Sequence, residues 1–200
     1  MRAPIIFGLL VCIASVGYAH ADDEKRETSP KTSQKAGADP KTGTKAETAK
    51  AENKPLSAAE SGVLNDLHAS NLTEIAAGKL GQKSAVAPAV KAYARMLVKD
   101  HTAADAKVRA LAKRRSVTLV STARDISNLE AHSGASFDRA FLAMMVTGHG
   151  EAIEKVKRAQ QTCEDTEVRK LLDETLPRLE KHRDQALKLH QESDQHARAN

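Results

Sequence analysis

The sequence predicts an all-α fold, an antiparallel four-helix bundle behind a disordered N-terminal tether, and three observations predict it. Apolar residues recur at three- and four-residue spacing over four long segments between Ser57 and Gln191. No strand-like alternation lies between those segments. The candidate core is almost free of aromatic rings: the chain has no Trp, two Tyr and three Phe, and with Phe7 and Tyr18 in the leader only Tyr93, Phe137 and Phe141 remain. Leu, Val, Ile, Met and Ala must then fill the core, as they do in helix bundles. Of the 200 residues, roughly 140 lie between the unstructured ends, enough for one domain with one core.

Residues 1–21 read as a secretory leader. Arg2 supplies the positive start, Ile5 to Val16 form an apolar run too short to span a bilayer, and Ala19-His20-Ala21 fits a cleavage site that puts the mature start near Asp22. The protein is therefore expected outside the cytoplasm, in the periplasm or at the outer membrane. Cys12 leaves with the leader. Cys163 is then alone, so no internal disulfide can form, and no C-x-x-C motif offers redox chemistry.

Residues 22–55 contain no Val, Ile, Leu, Met or Phe, and carry Pro30, Pro40 and Pro55 among Lys, Glu, Ala, Thr, Asp and Gly. Such a segment buries too little apolar surface to offset its ordering entropy and is expected to be a disordered tether.

The bundle is expected over residues 56–192. Ser57-Ala58-Ala59-Glu60 is a capping box that opens the first helix, which runs to about Ser84 with Leu64, Leu67, Asn71, Glu74 and Gly78 on one stripe. Pro88 suits the first turn of the second helix, where a missing amide hydrogen costs nothing. Val90, Ala94, Leu97, His101, Ala104, Val108 and Leu111 form its stripe, and Lys113-Arg114-Arg115 close it against the negative end of the helix dipole. A longer connection, Ser116 to Gly134, includes a short helix capped by Asp125. The third long helix is expected to start near Ser136 and to bury Phe137, Phe141, Met144, Met145, Ala152 and Val156. Asp165 caps the fourth, whose stripe is Val168, Leu171, Leu172, Leu176, Leu179, His182, Ala186 and Leu189, with a kink expected at Pro177. From about Glu192 the sequence turns polar, and residues 193–200 are expected to fray.

Two segments repeat. Tyr93, Met96, Leu97, Val98 and His101 match Phe141, Met144, Met145, Val146 and His149 at identical offsets, which suggests two related helical hairpins with a histidine at similar depth in each.

Arg95-Met96-Leu97-Val98-Lys99-Asp100-His101, Ser133-Gly134-Ala135-Ser136-Phe137-Asp138-Arg139-Ala140-Phe141 and Leu176-Pro177-Arg178-Leu179-Glu180-Lys181-His182 follow one another in an order that resembles the domain-of-unknown-function family 4142. The resemblance covers about Ser57 to Gln191. It implies a ferritin-like bundle and an envelope location, the family being exported bacterial proteins often labelled predicted outer-membrane proteins, and it implies no established activity. The chain departs from the family at Gly148, where an acid often precedes the third-helix histidine.

Each long helix places a polar residue on or near its apolar stripe: Glu74, His101, His149 and His182. Four facing helices can bring one carboxylate and three imidazoles together in the interior, a donor set suited to zinc, copper, iron or nickel. Asp100 and Asp138 lie close by in sequence and could orient ligating imidazoles from behind. Met145 shares a face with His149, which would suit copper, although a Met on a helix stripe is usually core filling. The competing explanation is a buried polar network that binds nothing. A di-iron centre needs Glu-x-x-His on two helices, and Val98, Val146 and Leu179 stand where those acids would be.

Other chemistries find no motif. There is no G-x-S-x-G elbow, no Gly-rich phosphate loop and no H-E-x-x-H, and Thr147-Gly148-His149-Gly150 fits close helix packing. The scarcity of aromatics argues against single-stranded nucleic acid. The formal net charge is +5, and Lys107, Arg109, Lys113, Arg114 and Arg115 form a basic cluster that could meet an anionic envelope surface or could be helix-end charge in solvent. The leading expectation is a non-enzymatic envelope protein, binding or stress-related. Metal-ion binding or sequestration through Glu74, His101, His149 and His182 is the alternative, and a ferritin-like redox enzyme the third reading.

Overall fold

The structure, a computed structural model, describes residues 54–120 and 122–199. The leader expected over residues 1–21 and the tether over 22–55 lie outside the described residues, apart from Lys54 and Pro55. Within them there are five helices and no strand: α1 Ala58–Ser84, α2 Pro88–Arg114, α3 Ser127–Glu130, α4 Gly134–Thr162 and α5 Thr166–Ala199. Among the described residues, no helix is long and apolar enough to cross a membrane.

The caps explain most boundaries. Ser57 and Glu60 form the expected capping box, with the Ser57 amide donating to Glu60 Oε2 at 2.9 Å. Pro88 stands in the first turn of α2. Asp165 Oδ1 accepts from the Glu167 and Val168 amides, both at 3.0 Å, and so caps α5. Two starts differ from expectation. α4 begins at Gly134 because Ser136 belongs to the cap: its hydroxyl donates to the Ser133 carbonyl at 2.7 Å and accepts from the Ser133 amide. Asp125 lies one residue too early to be the N-cap of α3, which is Ile126, and instead makes a tight turn by accepting from the Ser127 amide. α5 runs through Pro177 and continues past Glu192 to Ala199, farther than its polar sequence suggested.

Cross-helix bonds fix the directions. Asn71–His101 and His68–Asp105 set α1 antiparallel to α2. Asp138–Val86 and Lys155–Asp66 set α4 antiparallel to α1. His182–Asp100 and Lys107–Glu174 set α5 antiparallel to α2. Every neighbouring pair is thus antiparallel, and α4 starts at the opposite end of the bundle from where α2 stops. The connection, described over 115–120 and 122–133, therefore travels its length, roughly 40 Å for helices of this size. On the way the Val120 amide donates to Asn65 Oδ1 and the Arg124 amide to Thr73 Oγ1, both on α1.

The core is split in two. One apolar cluster holds Tyr93, Leu97, Leu129, Phe137, Phe141, Leu142 and Met145. The other holds Leu64, Val108, Leu111, Ile153, Val156, Val168 and Leu172. All three aromatic residues of the domain sit in the first cluster, with Phe137 and Phe141 stacked and Tyr93 edge-on to Phe141. α1 and α2 approach closely there: a Cβ on Gly78 would lie 2.8 Å from Val98 Cγ2, and one on Gly81 would lie 2.9 Å from the Ala94 Cβ. Between the clusters lies a buried polar layer.

Candidate metal centre

His101 on α2, His149 on α4 and His182 on α5 form that layer, each at most 4 % exposed. Their ring centroids are 5.2–5.6 Å apart. One ring nitrogen of each lies within 4.8 Å of the corresponding nitrogens of the other two.

A separate partner fixes each ring. His101 Nδ1–H donates to Asn71 Oδ1 at 2.9 Å. His149 Nδ1–H donates to the Met145 carbonyl one turn back, at 2.8 Å. His182 Nε2–H donates to Asp100 Oδ2 at 3.1 Å. The Tyr93 hydroxyl donates to the His182 carbonyl at 3.0 Å, tying the α5 backbone to α2 at this level. With one nitrogen of each ring used as a donor, the other carries a lone pair. Those nitrogens, His101 Nε2, His149 Nε2 and His182 Nδ1, are shut from solvent and have no hydrogen-bond partner. A buried polar atom left unpaired costs on the order of 1–3 kcal/mol.

Electrostatics keep the lone pairs free of protons. Burial pushes His101 well below the usual imidazole range, and the neighbouring His149 and His182 push it further. Burial lowers His149 to about 4, against the opposing pull of the Met145 carbonyl. Burial also lowers His182, which the Asp100 carboxylate partly offsets. Three neutral imidazoles, each with a free lone pair and with one ring nitrogen apiece within 4.8 Å of one another, form a donor set for a transition metal. Imidazole nitrogens bind such ions at about 2.0–2.1 Å, a distance that small side-chain movements would reach from this arrangement.

The sequence candidates separate here. Glu74 is buried beside the layer, but its Oε1 approaches His149 on the Nδ1 side, at 3.9 Å, away from the free lone pair. Burial raises the Glu74 carboxyl to about 8, against the pull of Arg124, so it is protonated at neutral pH, and its Oε2 has no partner. Asp100 Oδ2 is the group that accepts from His182 Nε2. Asp138 does not act on a histidine. Its two oxygens accept from the Val86 and Ala87 amides at 3.0 and 2.8 Å, holding the turn between α1 and α2. It lies eleven residues before His149, or about 16 Å along the helix. The Met145 side chain belongs to the apolar cluster. Gly148 faces Glu74, where a Cβ would stand 3.5 Å from Oε1.

Two partners escaped the sequence reading. Asn71 was on the stripe without a role, and the Met145 carbonyl is a backbone group that no residue pattern marks. A second buried pair, His68 Nδ1 to Asp105 Oδ1 at 2.6 Å, also went unnoticed. The basic cluster is largely neutralised by carboxylates: Lys107 pairs with Glu174, Arg109 with Asp105, Arg114 with Glu167, and Arg115 with Asp165 and Glu167.

The fold resembles that of CopM. CopM in the Ag-bound form obtained by co-crystallization and CopM in the Cu(I)-bound form each align with a TM-score of 0.60 at 19 % identity, and CopM in the Cu(II)-bound form aligns with 0.57 at 17 %. Each alignment covers 66 % of this chain and 96 % of CopM. No curated protein matches in sequence. Residues 45–189 match the family described as Domain of unknown function (DUF4142), and the chain belongs to that family.

Proposed function

We propose that this protein binds one transition-metal ion, copper first among the candidates, between His101, His149 and His182, as an exported metal-binding or sequestering protein and not as an enzyme. One observation carries the reading: three buried imidazoles bring one ring nitrogen each within 4.8 Å of one another, and each ring keeps one nitrogen without a hydrogen-bond partner in the protein while an outer partner holds the other. A purely structural polar layer would pair those atoms with one another or with the helices. Outer hydrogen bonds that set the tautomer of a ligating histidine are a regular feature of metal sites. CopM, described in Cu(I)-, Cu(II)- and Ag-bound forms, has a similar fold, which supports copper as the first ion to test. Copper(II) also heads the affinity order of the divalent first-row ions for such donors, above zinc. Export to the periplasm or outer membrane after cleavage near Ala21 is part of the proposal and rests on the leader sequence. The redox-enzyme reading gains no support, because among these donors Glu74 is the only nearby buried carboxyl and it faces away from the lone pairs.

Elemental analysis of the protein purified from the periplasm tests the reading, alongside apo-protein reconstituted with copper or zinc. One ion per chain is expected, and none after His101→Ala, His149→Ala or His182→Ala. A wild-type protein that takes up no ion ends the proposal.

A further inference from the structure

A cavity of about 520 Å³ lies in the seam between α1 and α4. At its outer side stand Asp66 paired with Lys155 and Arg124 paired with Glu151, all four well exposed. At its inner side are Asn71, Glu74 and His101, all buried. His101 is the one histidine of the metal layer that borders it; His149 and His182 do not. Glu74 thus stands between the cavity and His149, with one oxygen 3.9 Å from that ring and the other without a partner. Gly148 opposes Glu74 across the cavity wall and adds no side chain to obstruct it.

Resting on the reading of the three histidines as a metal site, we propose that this cavity is the loading route for the ion and that Glu74 is a transfer ligand, which takes the ion from the cavity and passes it to the imidazoles without holding it at equilibrium. The placement argues for that division of labour. An ion crossing from solvent to the histidine layer by this route leaves water among largely apolar walls, where an uncompensated charge is costly. At the inner end it meets His101 and Glu74, whose carboxyl releases its proton to water at the cavity mouth as it takes the ion. The final site, by contrast, lies on the side of the His149 ring away from Glu74, so the carboxyl is a step on the path and not a fourth ligand. The gap left by Gly148 keeps the path open.

The test separates rate from affinity. Apo-protein is mixed with Cu(II), and separately with Zn(II), in a stopped-flow instrument with a chromogenic chelator as reporter; equilibrium affinity comes from competition with the same chelator. Glu74→Gln keeps the shape of the side chain, and Gly148→Leu fills the cavity beside it. Both should load about tenfold or more slowly than wild type while equilibrium affinity stays within about threefold, as expected of a change in access. Circular dichroism verifies that each variant folds, and Glu74→Gln alone suffices if Gly148→Leu does not. Loading at the wild-type rate overturns the route. Affinity that falls in Glu74→Gln as far as in His101→Ala overturns the transfer role and makes Glu74 a ligand. Wild-type protein that takes up neither ion overturns the metal site and the route together, whereas unchanged loading of a metal-binding protein overturns the route alone.

Discussion

His101 Nδ1 lies 2.9 Å from Asn71 Oδ1, and this contact decides which edge of the imidazole is left to act. Asn71 sits on α1 and His101 on α2, so the bond between them also joins the helices of the first hairpin at the level of the histidine layer. Asn71→Ala should lower metal affinity by about 10–100-fold while the fold persists, because the ring loses its tautomer and its aim. Asp100→Ala should act in the same way on His182. Competition titrations against a chelator measure both, and unchanged affinity in both would remove the case for ring orientation from behind.

His149→Leu distinguishes a ligand from a structural histidine. The Met145 carbonyl that accepts from His149 Nδ1 can also take part in the helix's own bonding, so removing the ring strands no essential partner. Loss of a buried, unpaired nitrogen should leave the metal-free variant as stable as wild type, or more stable by about 1–2 kcal/mol. Metal uptake should vanish in the same variant. Urea denaturation with and without the ion reads both effects, since an ion bound to the native state raises its apparent stability. A large loss of metal-free stability would mark His149 as part of a structural network.

The pH dependence follows from the burial that lowers His149 to about 4 and also lowers His101 and His182. Histidines of the unfolded chain titrate near 6.5. The folded values lie below the unfolded one, so the unfolded chain binds protons first as pH falls. The resulting stability is complete above about pH 6.5 and is lost as pH drops toward the folded values, with a slope of up to about 1.4 kcal/mol per pH unit for each proton. Denaturation of the metal-free protein at pH 7, 6, 5 and 4 should show this decline, and His149→Leu should make it shallower. A profile of identical slope in the variant would contradict the assignment.

Gly78→Ala and Gly81→Ala should each destabilise the bundle by about 1–3 kcal/mol, because the new methyl groups meet Val98 and Ala94 inside contact distance. Gly62→Ala, on the same helix with nothing within 4 Å, should instead be neutral or stabilising. Thermal melts of the three variants check the contrast.

The architecture was largely legible because helical period fixes which face a residue occupies. His101, His149 and His182 share their stripes with Leu97, Met145 and Leu179, so burial of the leucines and the methionine carries the imidazoles inward. The repeat that pairs Tyr93 with Phe141 and His101 with His149 has a spatial meaning: the aromatics meet in one cluster and the histidines in the adjoining layer. Rotation about a helix is not the same as height along the bundle or the direction a side chain takes. Glu74 has the correct face but turns to the wrong side of His149, and Asp138 lies too far along α4 to reach any histidine. The path of residues 115–133 was not legible, because no periodic pattern tells a connection which end of the bundle it must reach.

That lengthwise connection joins two hairpins that each own part of the layer: Asn71, Asp100 and His101 come from the first, His149 and His182 from the second. Neither half carries all three histidines, and a chain without α5 in place cannot bring three imidazoles together. If the layer holds an ion as proposed, its capture waits for the last helix to arrive, so that a loaded centre certifies a finished molecule.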